Sequence, residues 1–192
     1  MERLRHVVPS MEYMEKGIDY IQEHINVGSH INGSGGLDRY LDNYQGWLDK
    51  LEQDRMCIPN EQRVPAETYY LVNEQDRIIG MINIRLCLNE RLMKCGGHIG
   101  YGIRPSERNK GYNKINLYLA LLRCQSLGIK EVILDCDSSN LASSRTMEAL
   151  GGVRIDEYYS DYEKCQVWRY IINVDESINN HKEIYEPKIL RK

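Results

Sequence analysis

Phenylalanine is absent from the 192 residues, and 14 tyrosines with two tryptophans must supply all the aromatic packing. Buried tyrosine rings bring hydroxyls with them, so each needs a partner or a route to the surface. No apolar run approaches the ~18 residues of a membrane-crossing helix, and the first residues lack the apolar core of a secretion signal. A cytoplasmic protein is therefore expected, with no membrane partner and with Cys57, Cys87, Cys95, Cys124, Cys136 and Cys165 reduced. No C-x-x-C pair occurs among them, so no metal site is expected. Most lie in apolar segments, where a free thiol packs as a small hydrophobe. Excess charge is missing too. Lys and Arg number 25 against 28 Asp and Glu, a net charge of -3, which gives no general attraction to nucleic acid. There is no internal repeat and no low-complexity block.

The 42% of hydrophobic residues suffices for one core, and the length fits one domain. Residues 4–8 read as a short strand. Ser10 is placed to cap a helix with Met11, Met14, Ile18, Ile21 and Ile25 at helical spacing; His24 is expected near its surface. Asn26 to Gly36 reads as a flexible Gly/Ser/Asn loop. A second helix is expected from Leu37 to Leu51 with Asp38 as cap, then a polar connector with Pro59 and Pro65. TYYLVN and RIIGMINIRLCL read as a hairpin, a turn follows at Asn89 to Arg91, and another strand runs through about Cys95 to Arg104.

That strand enters GGHIGYGIRPSERNKGYN, from Gly96 to Asn113. A strand running through a Pro-containing turn into a Gly-bearing helix start makes an anion site, because unpaired N–H groups and the positive helix end converge there. Arg108 and Lys110 add charge, and Gly111 permits close approach. After the helix to about Ser126, Lys130 to Cys136 reads as a strand apolar on both faces. This crossover makes the two strands a parallel pair, with the later one central. Asn140 then caps a helix ending at Gly151-Gly152, and two strands follow around Val153 to Tyr159 and Gln166 to Val174. Residues 175–192 read as a polar tail outside a domain of 1–174. The fold class is α/β (mixed α+β): a mostly antiparallel mixed sheet with one parallel pair and helices on both faces.

Taken together, these segments resemble the GNAT superfamily of acyl-CoA N-acyltransferases. Arg108-Asn109-Lys110-Gly111-Tyr112-Asn113 is similar to the family's pyrophosphate loop, R/Q-x-x-G-x-G/A. The helix and LGIKEVILDCDSSN have the family's spacing, and Asn140, Ser143, Glu148 and Gly151-Gly152 resemble its N-x-x-A/S…E-x-x-G-F segment. GGHIGYGIRPSERNKGY, GLDRY and INIR…LNE look closer still to a branch of predicted bacterial acetyltransferases. Two positions depart from the pattern. Asn113 stands where Gly or Ala is usual, and Met147 where many members carry a Tyr that protonates the departing thiolate.

The resemblance implies acetyl-CoA as co-substrate, in a cleft where the fourth and fifth strands splay apart. Its pantetheine amides are expected against Tyr101, Gly102 and Ile103, with Gly100 and Gly102 marking a bulge or close approach. Its pyrophosphate is expected at Arg108 to Asn113, with Asn140 and Ser143 also near the cofactor. The implied reaction moves an acetyl group to a primary amine of a small molecule or peptide by direct attack in a ternary complex. The alternative is a non-catalytic acyl-CoA sensor. Base candidates are His98, which titrates near neutrality, and its rivals Glu90 and Asp135, the latter in an apolar strand where burial strengthens a carboxylate as proton acceptor. Tyr101, Tyr158, Tyr159 and Tyr162 are candidates for the acid. The acceptor site is expected between the first two helices, the Gly28–Gly36 loop and a turn carrying Asp156, Glu157, Asp161 and Glu163, in a monomer or homodimer.

Overall fold

The computed structural model describes residues 2–161 and 163–190. Strands β1 (Arg5–Val7), β2 (Ala66–Val72), β3 (Ile78–Arg85) and β4 (Ile99–Ile103) form one antiparallel sheet in that order. The β2–β3 hairpin closes on Asn73, whose side chain accepts from the Gln75 and Arg77 amides at 3.1 and 2.9 Å, and on Asp76, held at φ 54. Strands β5 (Glu131–Asp137), β6 (Val153–Ser160) and β7 (Cys165–Asn173) form a second antiparallel sheet, ordered β5-β7-β6. The helices are α1 (Met14–Asn26), α2 (Tyr44–Met56), α3 (Glu90–Lys94), α4 (Tyr112–Ser126), α5 (Leu141–Glu148) and α6 (Val174–Tyr185).

The fourth and fifth strands are thus each an edge of their own sheet, and β5 is not central. They touch where the His98 amide donates to Ile133 O at 2.7 Å and the Ile133 amide donates to His98 Nδ1 at 3.0 Å. Gly97, at φ 58, brings the backbones so close that a Cβ would overlap the Ile133 carbonyl oxygen. Beyond this point no ladder joins them, and the molecule has an internal V between two strand edges. Nor is β5 apolar on both faces: Val132, Leu134 and Cys136 are buried on one, while the other carries half-buried Ile133 and the carboxylate of Asp135, paired with Arg169.

Two cores lie against the first sheet. One gathers α4, α6, β5 and β7 around Ile115, Tyr118, Leu121, Leu134 and Tyr170. The other packs α1 and α2 around Tyr20, Trp47, Tyr70 and Met81. Here tyrosines do what phenylalanine would, and two of the hydroxyls pair with each other: Tyr44 Oη lies 3.0 Å from Tyr70 Oη and donates to Ser10 O at 3.2 Å.

Several local expectations shift. Ser10 starts a 3-10 turn (Met11–Tyr13) without a side-chain cap, and α1 buries Gly17, Tyr20, Ile21 and His24 while Ile25 is 48% exposed. The buried face is rotated because Gly17 must meet Tyr70, where any Cβ would overlap the hydroxyl. Leu37–Arg39 is only a 3-10 turn, and α2 begins later, capped by Asn43 through the Gly46 amide at 3.0 Å. Asn89 to Arg91 opens helix α3 rather than a turn. The stretch after residue 174 is no loose tail: α6 packs on α4 with Val174, Ile178 and Tyr185 buried, and the Leu190 amide donates to Leu4 O at 2.8 Å.

A polar spot inside the first core gives a pH prediction. His6 stacks on Tyr69 at 5.3 Å, and its Nε2 lies 2.8 Å from Asn116 Oδ1 of α4. Desolvation lowers its pKa from 6.5 to about 4, with the Asn116 bond opposing. A base with a depressed folded pKa binds more protons when unfolded, so its contribution is full above 6.5 and is lost as pH falls toward 4. That loss is up to roughly 3 kcal/mol, and His24 and His98, both lowered by burial, act in the same direction. Urea midpoints at pH 7 and 4.5 are expected to differ less in His6→Gln than in the parent; an unchanged difference would assign the acid sensitivity elsewhere.

Candidate functional site

The turn from β4 into α4 is built as an anion cradle. Pro105 starts a 3-10 turn (Pro105–Glu107), and Asn109 and Gly111 then take φ 63 and 78. Left-handed residues alternating along the chain turn successive amides inward. Among the described residues, the amides of Asn109, Lys110, Gly111, Tyr112 and Asn113 have no backbone or side-chain acceptor. They open at the N-terminus of a 15-residue helix, whose dipole reinforces them.

The side chains divide their roles. Arg108 donates to Ile103 O at 3.2 Å and to Ser29 Oγ at 2.6 Å, and has no carboxylate partner among the described residues. Lys110 is tied to Glu107 at 2.8 Å, which cancels much of its charge. Asn113 faces Asn116 within its own helix, with Asn116 Nδ2 3.5 Å from Asn113 Oδ1. Arg104, which the sequence did not single out, is buried and donates to Asp19 and Glu23, each at 2.8 Å, and to Ile78 O at 2.8 Å. Glu23 also accepts from the Ser106 amide at 2.8 Å. This clamp fixes α1 to the cradle. An acid pair spaced i, i+4 on α1 was its only sequence signal.

The second feature is the open edge of β4. The Arg85 amide bonds His98 O and the Arg104 amide bonds Ile79 O, and the register pairs Asn83 with Gly100 and Met81 with Gly102. By antiparallel alternation, the backbone groups of Ile99, Tyr101 and Ile103 point away from β3 into the V. Gly102 instead directs its backbone to β3, and no register shift interrupts this ladder, so the expected bulge is absent. Gly100 and Gly102 serve a close approach. The Gly28–Gly36 loop, expected to be free, is seated there, with Asn32 O against Gly102 and Gly33 against Gly100 and Tyr101.

The catalytic candidates fall out unequally. His98 Nδ1 accepts the Ile133 amide at 3.0 Å, which puts the ring hydrogen on Nε2, and burial first, then Arg85, lowers its pKa. Neither nitrogen is a ready proton acceptor, so the ring is a staple between the sheets. Asp135 accepts from Arg169 Nε and Nη2, both at 2.8 Å, from Tyr158 Oη at 2.8 Å and from the Gly96 amide at 2.7 Å. A carboxylate so occupied is an anchor. Glu90 and Tyr159 are exposed, and Tyr162 lies outside the described residues. Tyr101 Oη lies 2.9 Å from Ser143 Oγ, and burial pushes its pKa up, so it stays protonated. Asn140 spends its side chain on its own helix, accepting from the Ser143 amide at 3.1 Å. Met147 is buried in the core.

On the loop side of β4 lies a cavity of about 620 Å³, lined by the Ile31–Gly36 loop, Asp38, Arg39, Asn83, Arg85, Arg91, Cys95, Gly96, Gly100 and Glu163. It takes in the Gly loop but neither of the first two helices. Of the acidic turn cluster only Glu163 reaches it. No helix among the described residues is long and apolar enough to cross a membrane.

A family profile for the acetyltransferase (GNAT) domain matches residues 32–153. No curated protein matches in sequence. Solved structures do match in fold. The ribosomal-protein-S5-alanine acetyltransferase from Vibrio fischeri superposes with a TM-score of 0.65 at 12% identity, over 92% of this chain and 96% of that one. The microcin C7 self-immunity acetyltransferase MccE, in complex with acetyl-CoA and AMP, gives 0.64 at 15% identity over 90% and 93%. Spermidine/spermine N-acetyltransferase SpeG from Vibrio cholerae, in mutant forms, gives 0.63 at 13% identity over 93% and 98%. With cradle, split sheets and profile in register along more than half its length, the chain belongs to the GNAT family of acetyltransferases, whose donor is acetyl-CoA.

Proposed function

We propose that this protein transfers the acetyl group of acetyl-CoA to a primary amine by direct attack in a ternary complex. The observation that carries the reading is the pairing of two open hydrogen-bonding surfaces: five unpaired amides at residues 109–113 and the β4 edge at Ile99, Tyr101 and the Ile103 amide, the Ile103 carbonyl being taken by Arg108. Asn109, Lys110 and Gly111 are exposed, so their amides are open to a ligand that displaces water, while Ile99 is buried, where backbone groups rarely go unpaired. A pyrophosphate fits the first and an amide-bearing arm the second, and the V between β4 and β5 leads from one to the other. Bound there, acetyl-CoA supplies a thioester carbonyl open to attack.

The chain's own residues bind and orient. Arg108, the cradle amides and Gly111 hold the pyrophosphate; Lys110, Tyr112 and Asn113 form its rim. Tyr101 and Ile103 align the arm through their backbone, and Gly102 keeps the strand under the loop. Asn140 and Ser143 fix the start of α5 beside the arm. The amine must arrive neutral, and with His98 and Asp135 engaged elsewhere we assign its deprotonation to solvent in the cavity. We assign Tyr101 Oη, held by Ser143, as donor of the proton that ends on the thiol. Tyr101→Phe is expected to lower kcat about 100-fold, the lower end for a positioned acid, with acetyl-CoA affinity retained. A kcat within threefold of the parent would leave that proton to water.

Calorimetry with acetyl-CoA tests the donor site, and CoA release over an amine panel tests transfer. Absence of acetyl-CoA binding ends the reading. Binding without CoA release from any amine favours a non-catalytic acyl-CoA sensor.

A further inference from the structure

The cavity beside β4 carries an unbalanced charge. Arg85, at the end of β3, is half-buried and gives its Nη1 hydrogens to Gly96 O and Gly97 O at 3.0 and 2.8 Å. Neither it, Arg91 nor Arg39 has a carboxylate within ion-pair distance among the described residues, and all three line the same space. Arg91 makes one long contact, to Gln62 O at 3.5 Å. The two acids on the wall do not reach the arginines, since Asp38 accepts from Ser34 Oγ at 3.0 Å and both it and Glu163 are exposed. Burial first, then the neighbouring Arg91 charge, disfavour the Arg85 cation, with the Asp135 charge opposing them. Carbonyl dipoles compensate a partly buried guanidinium only in part, and the fork geometry is matched by a two-oxygen anion.

The place of this charge matters as much as its sign. Arg85 is fastened to Gly97, the residue that presses on Ile133 where the two sheets meet. An anion on Arg85 and Arg91 therefore sits beside the mouth of the V. Resting on the acetyl-transfer reading, we propose that the acceptor is a small amine that also bears an anionic oxygen group, a carboxylate or a phosphate, seated between Arg85 and Arg91. The exposed acids, Glu163 and Asp38, face the cationic end. A polyamine has no group for the arginines and brings charge of the wrong sign toward them. In the transfer, the amine nitrogen forms a bond to the acetyl carbon and gives its proton to solvent, the carbon–sulfur bond breaks, and the departing thiolate takes a proton from Tyr101, which solvent reprotonates.

The test uses matched pairs with the full chain: lysine against cadaverine, glycine against methylamine, and phosphoethanolamine against ethanolamine, with spermidine as the polycation. Turnover is read as CoA release, and binding by calorimetry in the presence of CoA. At least tenfold higher kcat/KM, or tenfold tighter binding where turnover is absent, is expected for the anionic member of a pair. The amino-acid pairs report a carboxylate and the phosphate pair a phosphate. Arg91→Gln, an exposed position, is expected to remove the preference while acetyl-CoA affinity stays unchanged; Arg85→Lys keeps the charge and is expected to retain part of it. Equal or better use of spermidine and of the amines that lack an anionic group, or an unaltered preference in Arg91→Gln, overturns the proposal. Loss of acetyl-CoA binding in the parent overturns the transfer reading itself and is seen separately.

Discussion

Asp135→Ala is expected to cost about 3–5 kcal/mol of stability, the range for breaking a buried ion pair by removing one partner. Arg169 and Asp135 side chains are 11% and 7% exposed, and their two parallel bonds are both 2.8 Å. Removing the carboxylate strands the guanidinium, whose other contacts are the carbonyls of Met93 and Lys94 and the hydroxyl and ring of Tyr158, and deprives the Tyr158 hydroxyl and the Gly96 amide of their acceptor. The last loss reaches the sheet junction, since Gly96 precedes the Gly97–Ile133 contact. Denaturant unfolding checks the magnitude, and the double variant Asp135→Ala/Arg169→Met is expected to be less destabilised than the sum of its parts, because no cation is then stranded. The alternative role, general base, makes a distinct demand: Asp135→Asn would fold like the parent and lose activity. The geometry demands the reverse order, with stability failing first.

Legibility in the sequence followed the range of the interactions. The strand, turn and helix from Gly96 onward could be read because glycine spacing, Pro105 and the helix start act within a few residues. The same holds for the hairpin and for Asn140, whose cap lies three residues away. Side-chain duties set by distant partners were not legible. His98 looked like a base because nothing local shows Ile133 accepting and donating across 35 positions. Asp135 looked like an apolar-strand carboxylate because Arg169 is 34 positions on. The rotation of α1 was fixed by Tyr70 and Arg104, neither visible in its own periodicity. Helix α6 escaped because Val174, Ile178 and Tyr185 sit among polar residues that face outward, and only the Tyr118–Tyr185 contact at 5.3 Å shows what they are for. The cavity beside β4 is the extreme case: its walls come from five separate segments, and although GLDRY, INIR and GGHIGYG supply several of them, nothing local to any run shows that they meet.

Gly111→Val is expected to weaken acetyl-CoA binding about 100-fold, a loss near 2.7 kcal/mol, while the unfolding midpoint moves little. Gly111 holds φ 78 at the helix N-cap, and a β-branched residue forced there carries a strain of about 1–3 kcal/mol. The turn can shed that strain only by rotating away from the left-handed region, and rotation turns the amides of residues 109–113 out of convergence. The fold tolerates this, because those amides bond nothing in the protein; the pyrophosphate contact proposed for them does not, because it depends on their convergence. Side-chain changes in the same loop should matter far less. Lys110 is already paired with Glu107 and is half-exposed, so Lys110→Ala is expected to cost tenfold or less and to do so mainly at low salt. Asn113→Ala, which restores the small residue usual in the family, should leave affinity within threefold. Calorimetric titration of the three variants separates the contributions. A Lys110→Ala loss as large as that of Gly111→Val would mean that charge, rather than the directed backbone amides, holds the pyrophosphate.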